Sequence, residues 1–213
     1  KTGLAIQVIT GDQEAEMTYR GVRQAVDLPQ KPVLILDIGG GSNEFILADH
    51  RKMYWKKSVD LGIARLLERF KPSDHIRKEE IQNVNSFLET ELESIYKEIN
   101  RYEPETLIGC AGTFATYRSI MEARKEYEKQ QSLSEREPSF EITMDDFYSL
   151  YNSIVFFFFM FWEIIPGIEI FRVDMIVLAT IFVNFIIEKI DLTSLVQSDY
   201  SLREGALDQF INT

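Results

Sequence analysis

The segment Asp37-Ile38-Gly39-Gly40-Gly41-Ser42-Asn43-Glu44 joins three consecutive glycines to a hydroxyl, with a carboxylate at each edge. Lacking Cβ atoms, glycines let backbone N–H groups converge on an anion, so Gly39, Gly40, Gly41 and Ser42 read as a phosphate cradle. Carboxylates repel phosphate. Asp37 and Glu44 can instead hold a hard cation such as Mg²⁺, which bridges to phosphate oxygens. The plainer alternative is an ordinary hairpin turn, for which triglycine is entropically expensive. Asp37 closes an apolar run where an unpaired carboxylate is costly to bury, and either a cation or the turn's own N–H groups would compensate it. Glu44 opens the next run, and its alternative is a solvent-facing edge residue. A second glycine segment, Gly109-Cys110-Ala111-Gly112-Thr113, follows the apolar Thr106-Leu107-Ile108 and precedes a helical pattern. A helix N-terminus there would make Gly112 and Thr113 further phosphate ligands; tight junction packing is the alternative. Glu14 stands where a strand turns into a helix, a place the helix dipole favours for any acid.

These groups need a scaffold. Leu4, Ile6 and Val8 alternate as in a strand, and Ala15, Tyr19, Val22 and Val26 follow at helical spacing. The apolar runs Val33–Leu36 and Phe45–Ala48 predict a hairpin around the glycines. A third strand is expected from about Lys52 to Leu61, with Met53, Trp55, Val59 and Leu61 on one face. Gly62 then opens a short helix. Lys78 to Asn100 reads as one amphipathic helix whose buried stripe is Ile81, Val84, Leu88, Leu92, Ile95 and Ile99. A buried strand at residues 106–108 and a helix from Phe114 to about Gln130 complete an α/β core over residues 1–130. Gln131 to Ser139 reads as a loop. The rest, to residue 213, is expected as a helical appendage that returns to the same domain. It has a capping box at Thr143-Met144-Asp145-Asp146, a core helix from about Arg172 to Ile190, a short strand at Leu195-Val196-Gln197, and a last helix capped by Ser198 or Asp199.

The run Ile154 to Trp162 is apolar and aromatic on all faces, yet far shorter than the ~20 residues a membrane span needs. It predicts deep burial or a partner interface, including a homodimer. The formal net charge of −11 over 213 residues argues against nucleic acid, whose phosphates need a basic face. One cysteine excludes an internal disulfide and fits a reducing, cytoplasmic setting. The two histidines have no partner at zinc-ligand spacing, which argues against zinc or His-triad chemistry.

In order and spacing, these motifs resemble the exopolyphosphatase / guanosine pentaphosphate phosphatase (Ppx/GppA) family. The segments that carry the resemblance are Val8 to Ala15, Asp37 to Glu44, Val59 to Leu66, Gly109 to Thr113, Ile165-Pro166-Gly167 with Arg172 and Asp174, and Ser198 to Gly205. The resemblance implies a ribonuclease-H-like domain of the actin-like ATPase superfamily, with a mixed sheet and flanking helices. It implies Mg²⁺-dependent release of terminal phosphate from inorganic polyphosphate or guanosine pentaphosphate. Glu14 would be the general base that orients water, and Asp37 and Glu44 the acids that position metal. Gly39, Gly40, Gly41, Ser42, Gly112 and Thr113 would bind phosphate. Four departures stand out. No Asp-x-Gly-Ser-Asn phosphate loop precedes these motifs, Glu16 replaces an arginine that often follows the catalytic glutamate, Ala111 replaces a common serine, and Phe156 to Trp162 occupies a stretch usually polar and charged in the family. The missing loop leaves a non-catalytic polyphosphate- or nucleotide-binding module, or an interaction fragment, as the alternative.

Overall fold

A computed structural model describes residues 8–73, 75–129, 137–156 and 173–211, without the side chains of 125–129, 173, 174 and 210. The helix α1 (Gly11–Ala25) begins at a reciprocal capping box. Thr10 Oγ1 accepts from Gln13 N–H at 3.3 Å, and Gln13 Oε1 accepts from Thr10 N–H at 2.8 Å. The hairpin strands β1 (Val33–Ile38) and β2 (Asn43–Ala48) are buried throughout. β3 (Met53–Val59) pairs antiparallel with β2. Then come α2 (Ile63–Phe70), α3 (Lys78–Glu91), α4 (Glu93–Ile99), β4 (Thr106–Cys110), α5 (Ala111–Lys129), β5 (Ser139–Ile142), α6 (Met144–Phe156), α7 (Val173–Ile190), β6 (Ser194–Ser198) and α8 (Leu202–Ile211).

All six strands form one sheet in the order β3-β2-β1-β4-β6-β5. β1, β4 and β6 run parallel, and the other neighbours are antiparallel. This is the expected α/β architecture with a mixed sheet and flanking helices. The apolar alternation of β1 and β2 assigns the two faces. Leu34, Leu36, Phe45 and Leu47 pack with α2, α3, α5, α6 and α7. Val33, Ile35, Ile46 and Ala48 pack against Ala15, Tyr19 and Val22 of α1.

Several expectations need correction. The segment after residue 131 returns to the same domain through the expected strand, β6, and last helix, α8, but it is more than an appendage: β5 adds a further strand to the sheet, and α7 contributes Leu178, Phe182 and Ile186 to the main core, each fully buried. β5 carries little sequence signal because Ser139-Phe140-Glu141-Ile142 is short and half-exposed, as sheet edges often are. The long amphipathic helix is two helices broken at Leu92, although its predicted stripe is buried throughout. A β-bulge between Leu47 and Ala48 reverses the alternation of β3, so Met53 faces α1 while Trp55 faces the main core. Ser201, not Ser198 or Asp199, precedes α8 and accepts the Gly205 N–H at 3.1 Å. Asp199 instead pairs at 3.1 Å with the buried Arg118 of α5, which ties α5 to the β5–β6 edge. The predicted strand at residues 4–8 lies outside the described residues except for Val8, as do residues 157–162 of the aromatic run and Ile165-Pro166-Gly167. Among the described residues no helix is long and apolar enough to cross a membrane.

Candidate active site

Asp37 and Glu44 face each other across the hairpin register, two residues inside the glycine turn. Partners in antiparallel strands project to the same face, here the α1 face, so the two carboxylates share one small volume. Both are buried, at 7% and 1% exposure. Thr18 of α1 donates its hydroxyl to Asp37 Oδ2 at 3.4 Å, and Ser58 of β3 donates to Glu44 Oε1 at 2.8 Å. These are weak counterparts for buried charge. Burial pushes the Asp37 carboxyl up to about 7, and the negative charges of Glu44 and then Glu14 add to the rise. Burial raises Glu44 as well, against the hydroxyls of Ser58 and Ser42, and Glu14 again raises it.

Glu14 is therefore close enough for both strand acids to feel its charge. Its position follows from α1: the Thr10 cap fixes the first turn, and Gly11 lies directly on Ser58, where a Cβ would come within 2.5 Å of that side chain. The acid at position 14 and the two acids flanking the turn thus occupy one face and one end of the sheet. Glu16, two residues on, is neutralised by Arg20 at 3.1 Å and Lys56 at 3.5 Å.

The glycine turn is held from the opposite face. The N–H groups of Gly62, Ile63 and Ala64, at the start of α2, donate to the carbonyls of Gly41, Gly39 and Gly40 at 3.2, 2.9 and 3.0 Å. Helix starts leave such donors without intrahelical partners, and α2 has no side-chain cap. Its first turn is capped by the turn backbone instead. In a planar trans peptide the carbonyl and the following N–H point in opposite directions. Clamping three successive carbonyls on α2 therefore turns the N–H groups of Gly40, Gly41 and Ser42 away from it. Among the described residues none of these three N–H groups is hydrogen-bonded to protein, whereas the Gly39 N–H closes the turn on Ser42 O at 3.0 Å.

The glycines themselves carry information. None of Gly39, Gly40 and Gly41 adopts a left-handed φ. A Cβ on Gly39 would strike Ser42 O at 2.7 Å, so packing explains that position. A Cβ on Gly41 would meet nothing within 4 Å, and one on Gly40 only the Ala64 methyl at 3.9 Å. Neither backbone strain nor protein packing requires glycine at 40 and 41. What bare backbone permits there is close approach of a ligand.

The second glycine segment reaches the same end of the sheet. β4 runs parallel to β1, with Cys110 opposite Asp37, and α5 starts at the next residue. The N–H groups of Gly112 and Thr113 thus belong to the first turn of a 19-residue helix opening beside Asp37. Ala111, at the joint, has φ 66°, a left-handed conformation that costs a non-glycine residue about 1–2 kcal/mol. The carboxyl ends of β1, β4 and β6 lie on this edge, where open α/β sheets place ligands.

Among the described residues no group of three His, Cys, Asp or Glu side chains is placed to hold a metal ion. Asp37 and Glu44 nonetheless supply buried hard oxygens, and among the described residues no cationic side chain is bonded to either. That donor set does not fit an all-protein cage. It fits Mg²⁺ held by one or two carboxylates, with water and phosphate completing its shell. The sequence pointed to Glu14, Asp37, Glu44, the turn and the second glycine segment, and the fold gathers them at one sheet edge. It missed Ser58, Thr18 and Gly62. Ser58 was readable by counting outward from the turn, since it faces Glu44 across β2 and β3. Thr18 gave no signal of its own, and Gly62 read only as a helix start within a segment that carries the resemblance.

Comparison with known proteins points to one family. The Ppx/GppA phosphatase family profile matches residues 1–213. Exopolyphosphatase 2 of Mycobacterium tuberculosis is 31% identical over 126 residues, which is 59% of this chain and 39% of that protein. A bifunctional 3-dehydroquinate synthase/phosphatase of Fusobacterium nucleatum is 30% identical over 137 residues, 62% of this chain and 20% of that protein. The crystal structure of an exopolyphosphatase from Cytophaga hutchinsonii superposes with a TM-score of 0.88 at 32% identity, over 98% of this chain and 66% of that one. The Ppx/GppA family member of Aquifex aeolicus gives 0.75 at 25% identity, over 100% and 66%. The matches thus span about two fifths or less of these curated relatives and about two thirds of the structural ones.

Proposed function

This chain belongs to the Ppx/GppA phosphatase family and has its actin-like ATPase fold, and from that premise we propose that it carries a phosphoanhydride hydrolase site in which Glu14 activates water. The substrate class is inorganic polyphosphate, with guanosine pentaphosphate as the nucleotide counterpart. One observation carries the reading: three outward-turned N–H groups at Gly40, Gly41 and Ser42 stand at the sheet end where Glu14, Asp37 and Glu44 converge.

The chemistry follows from what each group can do. The N–H groups of Gly40, Gly41 and Ser42, with those of Gly112 and Thr113, hold oxygens of the terminal phosphoryl group and stabilise charge that shifts among them. Glu14 accepts a proton from a water molecule as its oxygen bonds to the terminal phosphorus. The bond from that phosphorus to the bridging oxygen breaks, releasing orthophosphate and a chain one phosphate shorter. No side-chain nucleophile is needed. Asp37 and Glu44 would hold Mg²⁺, which supplies neutralisation of phosphate charge when bound. Without a cation, two buried acids would oppose an anionic ligand, and the chain's net charge of −11 offers no compensating field. A single, buried cysteine supports a reducing, cytoplasmic setting.

The decisive variant is Glu14→Gln. It keeps size and hydrogen bonding but cannot accept the proton, so phosphate release should fall by about 10²–10⁴-fold with tripolyphosphate binding retained. Release at the native rate would remove Glu14 from the chemistry.

A further inference from the structure

The proposed cradle requires its peptide planes to keep one orientation, and that orientation is set from α2. The weakest of the three backbone bonds is the 3.2 Å contact from Gly62 N–H to the Gly41 carbonyl. That carbonyl has a second donor: Arg65 Nε, one turn into α2, at 2.8 Å. The Gly41–Ser42 peptide is also the one whose N–H lies nearest in sequence to Glu44, so its tilt governs the last donor before the acids. The charged end of Arg65 is directed elsewhere, with Nη2 3.6 Å from Asp60 Oδ1, and the side chain is 58% exposed. At such exposure the guanidinium charge is largely screened by solvent.

We propose that Arg65 is a positioning residue of the phosphate cradle. Its Nε–H, rather than its charge, pins the Gly41 carbonyl so that the Ser42 N–H faces the bound phosphoryl group. The proposal rests on the phosphoanhydride-hydrolase reading and adds to it a residue that need not touch substrate. Arg65 compensates for the longest backbone bond in the clamp, where α2 alone would leave the plane free to tilt.

Glutamine separates geometry from charge, because its Nε2 stands the same number of bonds from Cα as arginine Nε. Inorganic tripolyphosphate with Mg²⁺ is titrated into the wild-type chain, Arg65→Gln and Arg65→Met, following backbone amide shifts and affinity. In the wild type the amides of Gly40, Gly41 and Ser42 should shift on binding. Arg65→Gln should keep the Ser42 response and bind within twofold of wild type. Arg65→Met should lose the Ser42 response and bind about 3- to 10-fold more weakly, the equivalent of one net hydrogen bond. The Ile63 and Ala64 amides should stay protected from exchange in both variants, as a merely loosened helix would not allow. Equal losses in Gln and Met would make the charge the active element and overturn the proposal. So would an unaltered Met variant, since Gly62 alone would then suffice. A wild type whose turn amides ignore tripolyphosphate would sink the cradle itself, an outcome distinct from either.

Discussion

Replacing Gly62 by alanine tests whether α2 and the glycine turn act as one unit. The added methyl would lie 2.3 Å from the carbonyl carbon and oxygen of Gly40 and 2.4 Å from the carbonyl carbon of Gly41. These are backbone atoms, so no rotamer change relieves the clash. Restoring an ordinary contact of 3.4 Å requires the turn and α2 to separate by about 1.1 Å. The three clamp bonds, at 2.9 to 3.2 Å, would then stretch to about 4 Å and cease to be hydrogen bonds. At about 0.5–1.5 kcal/mol net for each, their loss costs roughly 1.5–4.5 kcal/mol. Gly62 has φ −60°, which alanine adopts freely, so reduced unfolded-state entropy returns about 0.4–1 kcal/mol. Urea denaturation should therefore show a loss of about 0.5–4 kcal/mol. A misplacement near 1 Å at a reacting centre costs up to about 10²-fold, so polyphosphate turnover should fall further than stability alone predicts. A Gly62→Ala protein with wild-type midpoint and wild-type turnover would refute the clamp.

Two further predictions concern the acids and the second glycine segment. Asp37 is raised from 3.8 to about 7 in the folded chain, so the folded state binds a proton more tightly than the unfolded state does. Its contribution is most favourable below pH 4, declines as pH rises, and becomes a cost on the order of 4 kcal/mol above pH 7. In chelator, Asp37→Asn should thus be more stable than wild type at pH 8 and close to it at pH 4. Added Mg²⁺ should stabilise the wild type at pH 8 but not the variant. A variant no more stable than wild type at pH 8 would contradict the burial argument. Ala111→Gly should stabilise the chain by about 1 kcal/mol in thermal or urea melts, because glycine occupies the φ 66° conformation without penalty; a loss of stability would show that the methyl packs usefully.

Much of the site was legible because its signals are local. Glycine runs, flanking acids and adjoining apolar runs locate Asp37, Glu44 and the turn without knowledge of the third dimension. Glu14 was legible as a capped-helix acid, but only the resemblance singled it out. Features that depend on tertiary approach gave no such signal. Gly62 looks like any helix-start glycine until the turn backbone is placed against it. Thr18 looks like one more residue on an amphipathic helix. The bulge beside Ala48 shifts the facing of Met53 through strand pairing, which single-strand alternation does not encode. The edge strand β5 was hidden by its shortness and half-exposure, whereas the apolar β1, β2 and β4 were not.

One terminal phosphoryl group should sit between the turned-out amides and the acid of α1, and a crystal structure of Glu14→Gln soaked with tripolyphosphate and Mg²⁺ would reveal where it binds. It should show phosphoryl oxygens about 2.7–3.2 Å from the N–H groups of Gly40, Gly41 and Ser42, with the side chain at position 14 reaching the water in line with the bridging bond. Phosphate seated away from those three amides, or position 14 on the far side of the bound chain from that water, would contradict it.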